Sequence, residues 1–119
     1  MVRCVVSTLC AMTLAIPALA ASAVPPAGKR ATTLGEGTSS CGYWIEARKA
    51  NNQQLDAWVR GFVTAFNVYV WPDGDVSRTT DIAGMMAWID NYCAQNPLTG
   101  ISCAVSALLV ELASKGSER

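Results

Sequence analysis

The stretch from Thr80 to Pro97 constrains the fold of this chain more than any other. Its apolar residues recur every three or four positions, which places them on one face of an α-helix. Thr80 or Asp81 can cap the first turn by accepting hydrogen bonds from free backbone N–H groups, and Pro97 cannot continue a helix. The stretch therefore predicts one amphipathic helix whose apolar face must be buried against other elements. The residues of that face are Ile82, Met85, Met86, Ile89 and Cys93.

Three further segments predict helices. The first runs from Cys41 to about Ala50 and follows Ser40, a good N-cap. The second runs from Gln53 to about Val70, where β-branched and aromatic residues at 68–71 leave a strand as the alternative. The last runs from Ile101 to about Ser114. Together the four segments predict an all-α fold, a small bundle of about four helices. Apolar positions are Leu55, Trp58, Val59, Phe62, Val63, Phe66 and Val70 in the second segment, and Val105, Leu108, Leu109 and Leu112 in the last.

Two details of the second segment carry structural expectations. Asp56 and Arg60 are four residues apart and are expected to pair on the outer face of the helix. Gly61 lies in the middle of the helix, where glycine is less favourable than alanine by about 1 kcal/mol. Close approach of another helix, at Trp58 or Trp44, is the expected reason for a glycine there.

Residues 1–23 have the pattern of a secretory signal peptide. Arg3 supplies a positive charge, an apolar run extends from Cys4 to Ala20, and small residues fit cleavage after Ala20 or Ala23. The apolar run is shorter than the ~20 residues that a bilayer requires, and Pro17 interrupts it. The protein is therefore expected to be periplasmic or secreted, with no stable membrane span after processing.

The remainder divides by composition into three parts. Residues 24–39 contain Pro, Gly, Ser and Thr without an apolar period, which predicts a flexible N-terminal tail. Residues 40–114 form the predicted helical domain. Residues 115–119 are polar and are expected to fray.

Three cysteines remain after removal of the signal peptide. In an oxidising compartment a disulfide is the default expectation. A Cys41–Cys93 bridge is favoured because it would close a loop of about fifty residues and stabilise the fold by roughly 4 kcal/mol. A Cys93–Cys103 bridge, which closes a much smaller loop, stays open as the alternative. Under the favoured pairing Cys103 is expected to be buried on the last helix, whereas an exposed Cys103 would allow a covalent homodimer.

The composition opposes most enzymatic and nucleic-acid functions. The chain has no histidine, the usual base for a serine or cysteine nucleophile, and no Gly-rich phosphate loop. Its cysteines lack metal-ligand spacing. Loss of Arg3 leaves a net charge near −1, which does not favour binding to nucleic acid. The sequence therefore predicts a non-enzymatic protein without metal or cofactor, whose partners are other proteins.

The loop at 71–80 is the candidate surface for a protein partner. Trp71, at a helix end beside Pro72, is the tryptophan most expected to be exposed, and aromatic residues are enriched in protein interfaces. Asp73 and Asp75 flank Gly74 in a turn and would extend this contact. They do not indicate calcium, because the other oxygen ligands and the closing glutamate of a calcium loop are missing.

The order of these features resembles the HdeA/HdeB family of periplasmic acid-stress chaperones. The resemblance rests on the export signal, Cys41 at the start of the domain, Gly61-Phe62 within a helix, and Trp88–Cys93 ending a later helix. It implies a Cys41–Cys93 bridge and a chaperone that binds unfolded periplasmic clients in acid. The layout is also similar to the Rap/Tai-type immunity proteins, which neutralise secreted amidase toxins. That likeness implies the alternative, an inhibitor or immunity protein for a secreted hydrolase.

Overall fold

The computed structural model describes residues 31–117. They form a 3₁₀ turn, Gly35–Thr38, and four helices: α1 Cys41–Lys49, α2 Gln53–Tyr69, α3 Ile82–Gln95 and α4 Ile101–Ser117. Within this part of the chain, β-type backbone pairing is limited to one isolated antiparallel bridge between Ser40 and Gly100. The prediction of a small all-α bundle is confirmed, and the strand alternative at 68–71 is wrong because α2 continues to Tyr69. The predicted signal peptide and residues 24–30 lie outside the described residues.

The first three helices each start at a side chain that caps them. The Tyr43 N–H donates to Ser40 Oγ at 3.2 Å, and the Gln54 N–H donates to Asn52 Oδ1 at 3.0 Å. At α3 the Gly84 N–H donates to Asp81 Oδ1 at 2.8 Å, so Asp81 is the cap of that helix. These local bonds satisfy backbone donors that the first helical turn leaves free.

The apolar faces of the four helices meet in one core. On α3, Met85, Met86, Ile89 and Cys93 are buried and Ile82 is half-buried, as the spacing predicts. The predicted face of α4 is buried as well. On α2 the stripe is buried at Leu55, Val59 and Val63 and half-buried at Trp58, Phe62 and Phe66, but Val70 is exposed.

A disulfide joins Cys41, at the start of α1, to Cys93, near the end of α3. Both cysteines are fully buried, and their Cα atoms lie 4.7 Å apart. The favoured pairing is therefore confirmed over Cys93–Cys103. The expected burial of Cys103 is wrong, because its thiol is free and exposed. Its neighbour Ala104 is buried instead, since successive residues point about 100° apart around a helix.

Gly61 is exposed, and a Cβ added there would have no other atom within 4 Å. The expectation that a second helix packs closely against it is wrong, and nothing in its surroundings explains the glycine. The close approach occurs at Gly37, which precedes α1. A Cβ on Gly37 would overlap the Cζ2 atom of Trp58.

The 3₁₀ turn extends the folded domain beyond its predicted start at residue 40. It packs against α2 and α4, and the Trp58 Nε1–H donates to the Leu34 carbonyl at 2.8 Å. The indole thus anchors a segment that has few apolar residues of its own. At the other end α4 continues to Ser117, past the predicted limit at 114, and Lys115 pairs with Glu111 at 2.8 Å in its last turns.

Replacing Gly37 with alanine is expected to destabilise the fold by about 1–3 kcal/mol, the usual cost of forcing extra volume into a packed site. The new methyl group would displace either the indole of Trp58 or the 3₁₀ turn. The matched control is Gly61→Ala, which meets open space and is expected to raise stability by up to about 1 kcal/mol. Urea unfolding followed by tryptophan fluorescence measures both, and a Gly37→Ala variant as stable as the parent would contradict the close packing.

Candidate functional site

The loop predicted to contact a partner is fixed to the body of the domain. The side chain of Trp71 is half-buried and stacks on Phe66 with ring centroids 6.2 Å apart, so it packs inward instead of projecting. Asp73 pairs with Arg78, and Asp75 accepts hydrogen bonds from the Ser77 N–H at 2.9 Å and hydroxyl at 2.8 Å. Trp71 is therefore not the exposed anchor that the sequence predicts, while both carboxylates remain on the surface and brace the loop.

The exposed apolar surface lies immediately before that loop. Val68, Tyr69 and Val70 are exposed by 66%, 85% and 42%, and we call these three residues the α2 tip. Sequence reasoning placed Val70 in the core stripe and did not single out the other two. Val68 lies two residues after Phe66, off the three- and four-residue spacing of the buried face, whereas Tyr69 and Val70 fit that spacing. The sequence therefore signals the exposure of Val68 but not that of Tyr69 or Val70.

A second feature that sequence reasoning missed is a polar network across three helices. Arg48 on α1 binds Asp90 on α3 through two hydrogen bonds of 3.1 Å, from Nε and Nη2. Its Nη1 lies 3.3 Å from Asp56 Oδ2 on α2. The Trp44 Nε1–H donates to Asp90 Oδ1 at 2.6 Å. We call these four residues the Arg48 network.

The Arg48 network replaces the pair expected on the outside of α2. Asp56 pairs with Arg48 across a helix–helix contact, so the expected Asp56–Arg60 pair is wrong. Hydrogen bonding to Asp90 is the main cause that raises the pKa of Arg48 above its ordinary value, although partial burial acts in the opposite direction. Arg48 therefore stays charged throughout the working pH range, and only the carboxylates of the network can lose their charge.

A groove of about 460 Å³ lies beside the Arg48 network, between α2 and α3. Its polar wall consists of the network's charged groups and Arg60, and its apolar wall comes from the first turns of α3. We call it the network groove. Its lining residues are Arg48, Asp56, Arg60, Ile82, Ala83, Met86, Ala87 and Asp90.

A smaller recess of about 140 Å³ lies between α3 and α4. Met85, Trp88 and Leu112 line it, and Glu111 and Lys115, which pair with each other, stand at its edge. This volume suits a single side chain or a small apolar molecule.

Two further observations concern residues 31–117. No three His, Cys, Asp or Glu side chains converge there in a way that could hold a metal ion. None of the helices in the same range combines the length and the apolar composition needed to cross a membrane.

Comparison of the chain with protein-family models, with curated proteins and with solved structures finds no match. The described residues offer two candidate regions for a site, the α2 tip and the network groove. The α2 tip is exposed apolar surface, whereas the network groove combines charged side chains with the first turns of α3, where Met86 is buried.

Proposed function

We propose that this chain is an exported, non-enzymatic periplasmic protein that binds other proteins and acts as an HdeA-like chaperone under acid stress. The observation that supports it most is the Arg48 network. Two carboxylates, Asp56 and Asp90, hold one arginine and one fully buried tryptophan between three helices. The ion pairs with Arg48 depend on ionised aspartates, and acid removes the charge of an aspartate.

Acid would act on this network through charge. The carboxyl group of aspartic acid ordinarily loses its charge below pH ~3.9. Arg48 on α1 and Arg60 on α2 are the cations that line the groove with Asp90, and arginine as a residue type does not lose its charge in acid. Protonation of all carboxylates also leaves the chain strongly positive, and this self-repulsion favours a looser state. Because the chain has no histidine, such a switch would operate in the acidic pH range in which carboxyl groups gain a proton.

The loosened state would expose apolar surface without becoming fully extended. Trp44, Met86 and Ile89 lie in the interface that the network spans, and they are buried in the folded domain. The disulfide keeps the start of α1 beside the end of α3 when the helices separate. Such a state offers apolar area to unfolded periplasmic clients while the chain stays compact.

Acidification from pH 7 to pH 2 is expected to abolish most of the near-UV circular dichroism, while much of the far-UV signal is retained. The same protein is expected to suppress aggregation of an acid-sensitive client at pH 2–3, measured by light scattering, and to have no such effect at pH 7. A near-UV spectrum that stays unchanged to pH 2, with no suppression of client aggregation, would rule out the chaperone function.

The α2 tip favours the alternative function, an inhibitor or immunity protein for a secreted hydrolase. Three consecutive apolar residues are exposed beside a braced loop, and this surface exists at neutral pH. Pull-downs from periplasmic extract at pH 7 and pH 3 separate the two functions. A specific hydrolase captured at pH 7 would support the alternative, while a mixture of unfolded clients captured at pH 3 would support the chaperone.

A further inference from the structure

The sequence contains two pairs of adjacent basic residues, Lys29-Arg30 and Arg48-Lys49. Such pairs are the recognition sequence of one class of processing endopeptidase, because acidic pockets in a protease select basic side chains next to the bond that is cut. The surroundings of the two pairs differ, and this difference determines which of them an endopeptidase can reach.

The pair Arg48-Lys49 lies in the last turn of α1 and is protected by the fold. Arg48 is held in the Arg48 network, and Lys49 pairs with Glu46 at 2.9 Å. The backbone after the pair is held as well, because the Ala50 N–H donates to the Glu46 carbonyl at 3.1 Å. Cleavage at this pair would therefore require the helix to open locally.

The pair Lys29-Arg30 comes just before the point where the chain attaches to the folded domain. Residues 31 and 32 are exposed and belong to no helix or turn. From this end of the described chain, the first hydrogen bond to the body of the domain is made by Leu34, whose carbonyl accepts the Trp58 Nε1–H at 2.8 Å. Three residues of extended chain span up to about 10 Å, which leaves room for an endopeptidase to act after the pair without disturbing that anchor.

We propose that Lys29-Arg30 is a processing site and that the mature protein begins at Ala31. An endopeptidase specific for paired basic residues would add water across the Arg30–Ala31 peptide bond. This leaves a carboxylate on Arg30 and a free amino group on Ala31, and it releases the residues between the signal peptide and the domain as a short pro-segment. Processing there rests on the proposed function in one respect, because only an exported chain meets such an enzyme.

The cut leaves the folded domain whole. The 3₁₀ turn with its Trp58 anchor, the disulfide and the four helices all follow residue 31. Residues 24–30 contain two prolines, a glycine and the two basic residues, so they offer little apolar surface for packing. Their removal takes away two positive charges and shifts the net charge of the exported chain from near −1 to near −3.

A second use of basic residues, electrostatic binding to anionic lipid, fits this pair less well. Lipid-binding segments use clusters of about four to eight Lys and Arg. Lys29-Arg30 has no further basic residue between positions 4 and 47. Recognition by a protease needs only the pair itself.

N-terminal sequencing and intact mass of the exported protein, recovered from the cells that naturally produce it, test the processing site. The expected N-terminus is Ala31. With Lys29→Gln and Arg30→Gln together, the exported protein is expected to keep the pro-segment and to begin at the signal-peptide cleavage site. Lys49→Gln breaks the second basic pair at an exposed position and is expected to leave the N-terminus at Ala31.

Limited proteolysis measures the protection that the fold gives to the pair in α1. In the folded, disulfide-bonded chain without its signal peptide, trypsin is expected to cut at residues 29–30 at least about tenfold faster than at residues 48–49. After reduction and in urea, both pairs are expected to be cut at similar rates. Equal rates in the folded protein would overturn the choice between the two pairs.

Two further results would overturn the processing site alone. One is an exported protein that begins upstream of Arg30, and the other is an N-terminus at Ala31 that the double variant does not change. A chain that is not exported would contradict the proposed function together with the processing site. An N-terminus at Ala31 in a protein that fails to protect clients at pH 2 keeps the processing site and removes the chaperone function.

Discussion

Replacing Cys41 and Cys93 together with alanine is expected to lower the free energy of unfolding by about 4 kcal/mol. The bridge spans 52 residues, and closing a loop of that length removes much of the conformational entropy of the unfolded chain. For a domain of this size a loss of 4 kcal/mol corresponds to a fall in Tm on the order of 20 °C. Thermal and urea unfolding at pH 7 measure the change.

Cys103→Ala is the matched control for the double variant. Its thiol is exposed and free, so its removal is expected to alter stability by less than about 0.5 kcal/mol. A double variant within about 1 kcal/mol of the parent would show that the cross-link does little to hold the bundle together. It would also weaken the chaperone proposal, in which the disulfide keeps the acid state compact.

The helices themselves could be predicted because their signals are local. Ser40 and Asp81 each reach a backbone N–H three residues away, and the buried positions of α3 repeat within one element. The local pattern was less informative on α4, where Cys103 was expected to be buried but is exposed. Apolar and small residues surround much of α4, so the spacing alone leaves the edges of its buried face uncertain.

The candidate sites could not be predicted in the same way, because they depend on how helices cross. Asp90 lies 42 residues from Arg48, and only the packing of α1 on α3 brings them together. Sequence reasoning could pair Asp56 only with a neighbour on its own helix. Arg48 competes better for Asp56 since it reaches both aspartates from a third helix, and Arg60 then has no acidic partner within residues 31–117.

Gly37 shows the same dependence on packing. In the sequence it belongs to a polar segment with no apolar period, which predicts a flexible tail. In the fold its backbone lies on the indole of Trp58, and the Leu34 carbonyl accepts the indole N–H. The segment is held by Trp58, which lies 21 residues further along the chain, and no local sequence pattern predicts that contact.

Replacing Asp90 with alanine is expected to cost about 2–3 kcal/mol at pH 7. The larger part comes from Trp44, which is fully buried and would lose the acceptor of its indole N–H, at about 1–3 kcal/mol. The ion pair with Arg48 adds at most about 1 kcal/mol, because both side chains are more than a third exposed. Urea unfolding measures the total.

Two further variants separate these contributions. Asp90→Asn keeps an oxygen for the Trp44 N–H but removes the charge that binds Arg48, so it is expected to lose about 1 kcal/mol. Glu46→Ala, which removes an exposed acid paired only with Lys49, is expected to change stability by less than about 0.5 kcal/mol.

The Asp90→Ala variant also connects the network to the proposed acid response. If Asp90 holds α1 against α3, its removal should produce at pH 7 part of the loss of near-UV signal that the parent protein shows only in acid, and Glu46→Ala should not. An Asp90→Ala protein with the parent's stability and near-UV spectrum would mean that the network does not secure this interface. The acid response would then have to arise from the charge of the whole chain.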